Sequence, residues 1–78
     1  MEIYVARDSS GLCFFKDRPD LVRFNMIDPV EWTGYPVDFG DLSTIKNLLS
    51  KDPNIIELEE YAEPIHIKIK GLKITVIE

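Results

Sequence analysis

The segment from residue 65 to residue 76 carries the pattern that most constrains the fold. Isoleucine at 65, 67 and 69 alternates with histidine or lysine at 66, 68 and 70, which is typical of a half-buried strand. Past Gly71 the apolar residues shift to even positions, namely Leu72, Ile74 and Val76. Because successive side chains of a strand point to opposite faces, one unbroken strand would turn the second apolar set away from the first.

Two arrangements resolve this shift in parity. A tight hairpin with its tip at 71–72 would bring both apolar sets to one face, and a β-bulge at Gly71 would also restore the phase. We favour the hairpin, although it places Lys70 opposite Lys73, a like-charge pair beside the turn. The apolar pairs that it predicts are Ile69 with Ile74 and Ile67 with Val76.

The first sixteen residues predict a second hairpin. A β-rich run at 3–6 is followed by turn-forming residues at 8–11 and by a further apolar run at 12–16. Aromatic and β-branched residues that face each other across two strands stabilise such a unit. If Arg7 faces Leu12, Val5 lies opposite Phe14 and Tyr4 opposite Phe15; a register shifted by one residue stays open, because Phe14 and Phe15 both fit the core.

One amphipathic helix is predicted over about 41–52. Asp41 is a favoured N-cap, because its carboxylate accepts hydrogen bonds from the free amides of the first turn. Pro53 ends the helix, because the residue before a proline is driven out of the helical region. The apolar stripe at helical spacing consists of Leu42, Ile45, Leu48 and Leu49.

The remaining segments give weaker signals. A short strand is predicted at 21–24, and the prolines at 29 and 36 confine any strand between them to an edge or a short piece, with Val30, Trp32 and Tyr35 as its buried side chains. Residues 54–61 fit either a strand or a helical turn. The chain 1–78 therefore predicts a single α+β domain, in which a mostly antiparallel sheet of N-terminal and C-terminal hairpins carries one helix on one face.

Composition limits the class of protein. Fourteen acidic residues against nine basic ones give a net charge of −5, so direct nucleic acid binding is not expected. Cys13 is the single cysteine, whereas a secreted chain of this size usually carries several. The first residues lack the pattern of a signal peptide, and no apolar run approaches the roughly 20 residues that span a bilayer. We expect a cytoplasmic protein that binds no membrane.

The reactive side chains predict no catalytic site. His66 falls in the solvent-side phase of its strand, and no serine or cysteine can be placed beside it from the sequence. Cys13 lies between apolar residues and is expected to be half-buried and unreactive. One cysteine and one histidine exclude the usual zinc sites, and the calcium-loop spacing is absent from Asp17, Asp20 and Asp28. We therefore expect no enzyme activity, no cofactor and no metal.

Two segments are candidate interaction surfaces. Five acidic residues and no basic one occur over 52–63, and lysines follow at 68, 70 and 73. These charges either neutralise one another or face water, or the acidic strip docks a partner with a basic surface. Aromatic residues at 32, 35 and 39 are either interface anchors or the lid of the core. The residues that we nominate for partner binding are Glu57, Glu59, Glu60, Glu63, Trp32 and Tyr35.

A resemblance to known proteins rests on the opening residues 1–8, on Gly11 and on the pair Phe14–Phe15. Over about the first twenty residues the chain resembles small uncharacterised proteins of bacterial prophages and other mobile elements. The resemblance implies a genomic setting and no particular activity. Short acidic products of this kind commonly act by binding a host or phage protein.

These observations favour a non-catalytic protein–protein interaction module, such as a phage or mobile-element accessory protein or inhibitor. Its partner would be an unidentified protein that meets the acidic strip or an exposed sheet edge. A homo-oligomer that buries the sheet edge or the Trp32 region between copies is the alternative. A small enzyme is the third and least favoured hypothesis, because no pair of catalytic groups can be proposed.

Overall fold

The computed structural model of the chain describes residues 1–23 and 30–77. Phe24, in the predicted strand at 21–24, and the residues Asp28 and Pro29 lie outside the described residues. Within the described ranges, no helix combines the length and the apolar character needed to cross a bilayer. The elements are β1 (Glu2–Asp8), β2 (Gly11–Phe15), β3 (Asp20–Arg23), β4 (Val30–Thr33), α1 (Phe39–Leu49), α2 (Pro53–Ile56), β5 (Ile65–Lys70) and β6 (Lys73–Val76).

Four strands form the main sheet in the order β2-β1-β5-β6, and each neighbouring pair is antiparallel. The predicted N-terminal hairpin is confirmed. Its turn is shaped by Asp8, whose carboxylate accepts hydrogen bonds from the amides of Ser10 and Gly11 at 2.7 and 3.0 Å. Of the registers left open, the structure has the one with Tyr4 opposite Phe15, Val5 opposite Phe14 and Arg7 opposite Leu12.

The C-terminal hairpin is also confirmed, and the alternative of a bulge is wrong. Gly71 adopts a φ of 62°, a left-handed conformation that glycine reaches without a steric penalty. Lys70 faces Lys73 beside the turn, as predicted. The apolar pairs are Ile69 with Ile74 and Ile67 with Val76.

The strands β3 and β4 pair with each other in a separate two-stranded sheet. Trp32 of β4 packs against Ala6 and Phe15. Ala6 has the opposite phase to Ile3 and Val5 along β1, so this small sheet covers the face of the main sheet that turns away from the helices.

The bounds predicted for the helix are wrong at both ends. Asp38 has an extended backbone, and its carbonyl accepts the first helical hydrogen bond from the Leu42 amide at 2.9 Å. The helix therefore starts at Phe39, directly where the chain leaves the sheet. Asp41 lies in the first turn instead of capping it, and the helix dipole favours an acid there.

The segment after α1 resolves the ambiguity at 54–61. Asp52 caps the single turn α2, since its carboxylate accepts hydrogen bonds from the amides of Asn54 and Ile55 at 2.9 and 3.2 Å. Pro53 occupies the first position of α2, where its missing amide costs nothing. The helical turn thus comes at the start of this segment, and the chain from Glu57 to β5 is irregular.

The main core lies between the four-stranded sheet and the two helices. The sheet contributes one alternation phase of β1 and β5, and the helices contribute their inner faces. The α+β class is confirmed, with helices, main sheet and small sheet stacked as three layers. The largest fully buried side chains are Ile3, Val5, Leu49, Ile55 and Ile67.

Candidate functional site

The strand β6 forms an edge of the main sheet. Its inner side pairs with β5, and the Ile77 amide just beyond it donates to the His66 carbonyl at 2.8 Å. Backbone groups in an antiparallel pair alternate between facing the partner strand and facing away from it. The amides and carbonyls of Ile74 and Val76 therefore point outward, and no strand in the described part of the chain pairs with them.

The opposite edge of the sheet, at β2, is covered by the chain itself. The Lys16 amide donates to the Tyr35 carbonyl at 2.7 Å, and the Val37 amide donates to the Phe14 carbonyl at 3.1 Å. Pro36 forms an isolated bridge with Phe15 between these two bonds. Because an uncovered edge invites pairing with another chain, the contrast between the two edges singles out β6.

A shallow cleft of about 250 Å³ lies beside β6, between the hairpin tip and the junction of the two helices. Leu72 at the tip is 90% exposed. Val76, which shares its face of β6 with Ile74, is 39% exposed. The residues that line the cleft are Leu48, Lys51, Asp52, Pro53, Leu72, Lys73 and Ile74.

The acidic strip at 52–63 remains largely unneutralised. Asp52 is engaged in capping α2, and Glu63 forms an ion pair with Arg18 at 2.9 Å. The other three acids, at 57, 59 and 60, are exposed, and none of them forms an ion pair within 1–23 and 30–77. Ile56, which directly precedes these three acids in the sequence, is 57% exposed.

The lysine row is likewise exposed. Lys68, Lys70 and Lys73 lie on the outer part of the sheet, and the ion pairs found among the described residues involve other cations. Of the two structural interpretations offered by the sequence, exposure to water therefore holds and mutual neutralisation with the acidic strip does not.

The aromatic residues at 32, 35 and 39 do not form one surface. Trp32 is 9% exposed, and its indole N–H donates to the Arg7 carbonyl at 3.1 Å, so it belongs to the core and is not available as a surface anchor. Tyr35, which was expected to be buried, is 72% exposed because its segment covers the β2 edge through main-chain atoms. Phe39, at the start of α1, is 86% exposed.

His66 lies in a cluster that the sequence did not reveal. Its ring stacks on Tyr4 with centroids 4.2 Å apart and an interplanar angle of 8°. Its Nε2 lies 3.2 Å from Glu2 Oε1, and its side chain is half-buried instead of freely exposed. This histidine–acid pair does not line the cleft beside β6. The cluster joins β1 to β5.

Cys13 is held in its thiol form. Its Sγ donates a hydrogen bond to Asp8 Oδ2 at 3.3 Å. Burial, this hydrogen bond and the negative charge of Asp8 raise the pKa of the thiol to about 11. A thiolate nucleophile is therefore disfavoured here. Within the described ranges, no three histidine, cysteine or acidic side chains gather in a way that could hold a metal ion.

Comparison of the chain with protein-family models, with curated proteins and with solved structures finds no match.

Proposed function

We propose that this chain is a non-catalytic protein-binding module that accepts an extended segment of its partner along β6. The observation that carries the proposal is the outward orientation of the backbone groups of Ile74 and Val76, on the edge that residues 1–23 and 30–77 leave uncovered. In strand addition, main-chain hydrogen bonds provide affinity, and pockets for alternate side chains provide specificity.

The cleft beside β6 supplies such a pocket. A strand added next to Ile74 and Val76 would place alternate side chains on the helix side of the sheet, where Leu48, Pro53 and Leu72 present apolar surface. Lys51 and Lys73 border the same cleft and favour an acidic neighbour in the partner. The best partner segment is therefore extended, with apolar residues at alternate positions and an acidic residue between them.

The proposed setting follows from the resemblance of the N-terminal residues to prophage and mobile-element products. In that setting the module is an accessory protein or inhibitor that acts in the cytoplasm by occupying an extended segment of a host or phage protein.

A pair of substitutions at Val76 tests this mode of binding. Val76→Pro removes an outward amide while the hydrogen bonds between β5 and β6 stay in place, and Val76→Thr keeps the amide and the β-branched shape. Extended peptides selected from a random displayed library would be measured by fluorescence polarisation. We expect Val76→Pro to weaken binding at least about fivefold, from the loss of one hydrogen bond, and Val76→Thr to retain it. Equal binding by the two variants would reject strand addition at β6.

A homo-oligomer built on the same edge is the second candidate function. Two antiparallel copies of β6 could pair with Thr75 opposite its own copy, which would set Ile74 of one chain opposite Val76 of the other. Light scattering at micromolar concentration distinguishes this assembly from the heteromeric module, because a strict monomer rules it out.

A further inference from the structure

A second, larger cleft separates the N-terminal hairpin from α1, away from β6. Its volume is about 490 Å³, within the roughly 300–1,000 Å³ typical of small-molecule sites. The cleft is open on one side, and most of its wall is apolar. Its lining consists of Leu12, Phe14, Leu42, Leu49, Arg7, Lys46 and Ser50.

Arg7 is fixed in this cleft by the carbonyls at the end of α2. Its Nε donates to the Leu58 carbonyl at 2.6 Å, and one terminal nitrogen donates to the Ile55 carbonyl at 3.3 Å. A guanidinium has five N–H donors, so these two bonds set its orientation and leave donors for a ligand.

Among the described residues, no carboxylate forms an ion pair with Arg7. The side chain is half-buried, and no carboxylate of the described residues lies within 4.0 Å of it. The two carbonyls offset part of the cost of partly burying this charge, and an anion in the cleft would offset more of it. Lys46 adds a second positive charge to the lining, which contains no acid even though the chain carries five more acidic than basic residues.

We propose that this cleft binds a small amphiphilic carboxylate, that is, a molecule with one carboxylate and an apolar body of the size of a medium acyl chain or an aromatic ring. The carboxylate would meet the guanidinium fork of Arg7, which suits a planar two-oxygen anion. The apolar body would lie against Leu12, Phe14 and Leu42. This site is independent of strand addition at β6, and either could be present without the other.

Titration of the ¹⁵N-labelled chain with three probes tests the site. Octanoate, used below its micelle concentration, carries both features; octanol carries only the apolar body, and acetate only the charge. We expect saturable shifts with octanoate at the amides around 12–14 and 42–49, and binding of each of the other probes at least about tenfold weaker. Octanol binding as tightly as octanoate, or octanoate shifts confined to the β6 cleft, would overturn the proposal.

A matched pair of lysine substitutions tests the role of charge. Lys46→Met keeps an apolar stem and removes a charge from the lining, whereas Lys70→Met removes an exposed charge at the end of β5, outside both this cleft and the cleft beside β6. Both residues are exposed, so both variants should fold. We expect Lys46→Met to weaken octanoate binding roughly threefold to fivefold, the range of a partly exposed ion pair, and Lys70→Met to leave it unchanged. Equal affinities for octanoate in the two variants would refute the assignment.

Discussion

Replacement of Arg7 by methionine should destabilise the fold more than its position near the end of β1 suggests. The guanidinium joins β1 to a segment about fifty residues away, through the bonds to the Leu58 and Ile55 carbonyls at 2.6 and 3.3 Å. Hydrogen bonds from a charged donor contribute about 1.5–3 kcal/mol each. The second bond is long and the carbonyls can regain water, so we expect a total loss of about 2 kcal/mol.

That loss is large for a chain of this length. At roughly 0.05–0.15 kcal/mol per residue, a domain of this size has a free energy of unfolding of about 4–12 kcal/mol. With an m-value of about 1 kcal/mol per molar urea, the unfolding midpoint should fall by about 2 M. Trp32 is the single tryptophan and is buried, so its fluorescence reports the transition directly.

Two further variants make this experiment decisive. Arg23→Met removes an exposed arginine at the end of β3 and should change the free energy of unfolding by less than about 0.5 kcal/mol. Arg7→Lys keeps the charge near the end of α2 but cannot reach both carbonyls, so its midpoint should lie between those of the wild type and Arg7→Met. If Arg7→Met unfolds at the same urea concentration as Arg23→Met, the guanidinium does not hold the α2 segment against the sheet.

The remaining predictions concern Cys13 and the acidic strip. The pKa of Cys13 is raised from 9.0 to about 11. Alkylation of this thiol by iodoacetamide near neutral pH should therefore run about a hundredfold slower than that of an unperturbed thiol, and its rate should increase with pH up to about pH 11. A rate equal to that of a model peptide would show that Asp8 and burial do not restrain the thiol. Changing Glu57, Glu59 and Glu60 together to glutamine should change the free energy of unfolding, measured by thermal denaturation, by less than about 0.5 kcal/mol, since all three are exposed. If the strip contributes to docking, the same triple variant should associate more slowly with a basic partner in a stopped-flow measurement at low salt, whereas an unchanged association rate would remove the strip from the binding surface.

Local patterns in the sequence predicted the two hairpins well. The shift of apolar parity across Gly71 limits the C-terminal segment to a hairpin or a bulge, and the turn formers at 8–11 locate the N-terminal hairpin to within one residue of register. The start of the helix was missed because Asp38 and Asp41 are both good capping residues. The choice between them depends on where the chain leaves the β2 edge, and that contact is distant in sequence.

The candidate sites depended on distant contacts and could be predicted only in part. The acidic strip is visible in the sequence, because its residues are close together in the chain and no distant contact is needed to form it. The pairing of β1 with β5, which brings Glu2 and Tyr4 to His66, is not encoded in any local pattern. The same holds for the covered β2 edge, which depends on Tyr35 and Val37 meeting strand residues about twenty positions earlier.

Hydrogen exchange of the β6 amides tests the central claim most directly, because it needs no identified partner. In dilute monomeric chain, the amides of Ile74 and Val76 should exchange at rates close to those of an unstructured peptide, while the Ile77 amide, bonded to the His66 carbonyl, should be protected. Binding of an extended peptide should then protect the amides of Ile74 and Val76 from exchange. Strong protection of these two amides in the dilute chain alone would mean that the edge is already covered, and would contradict the account.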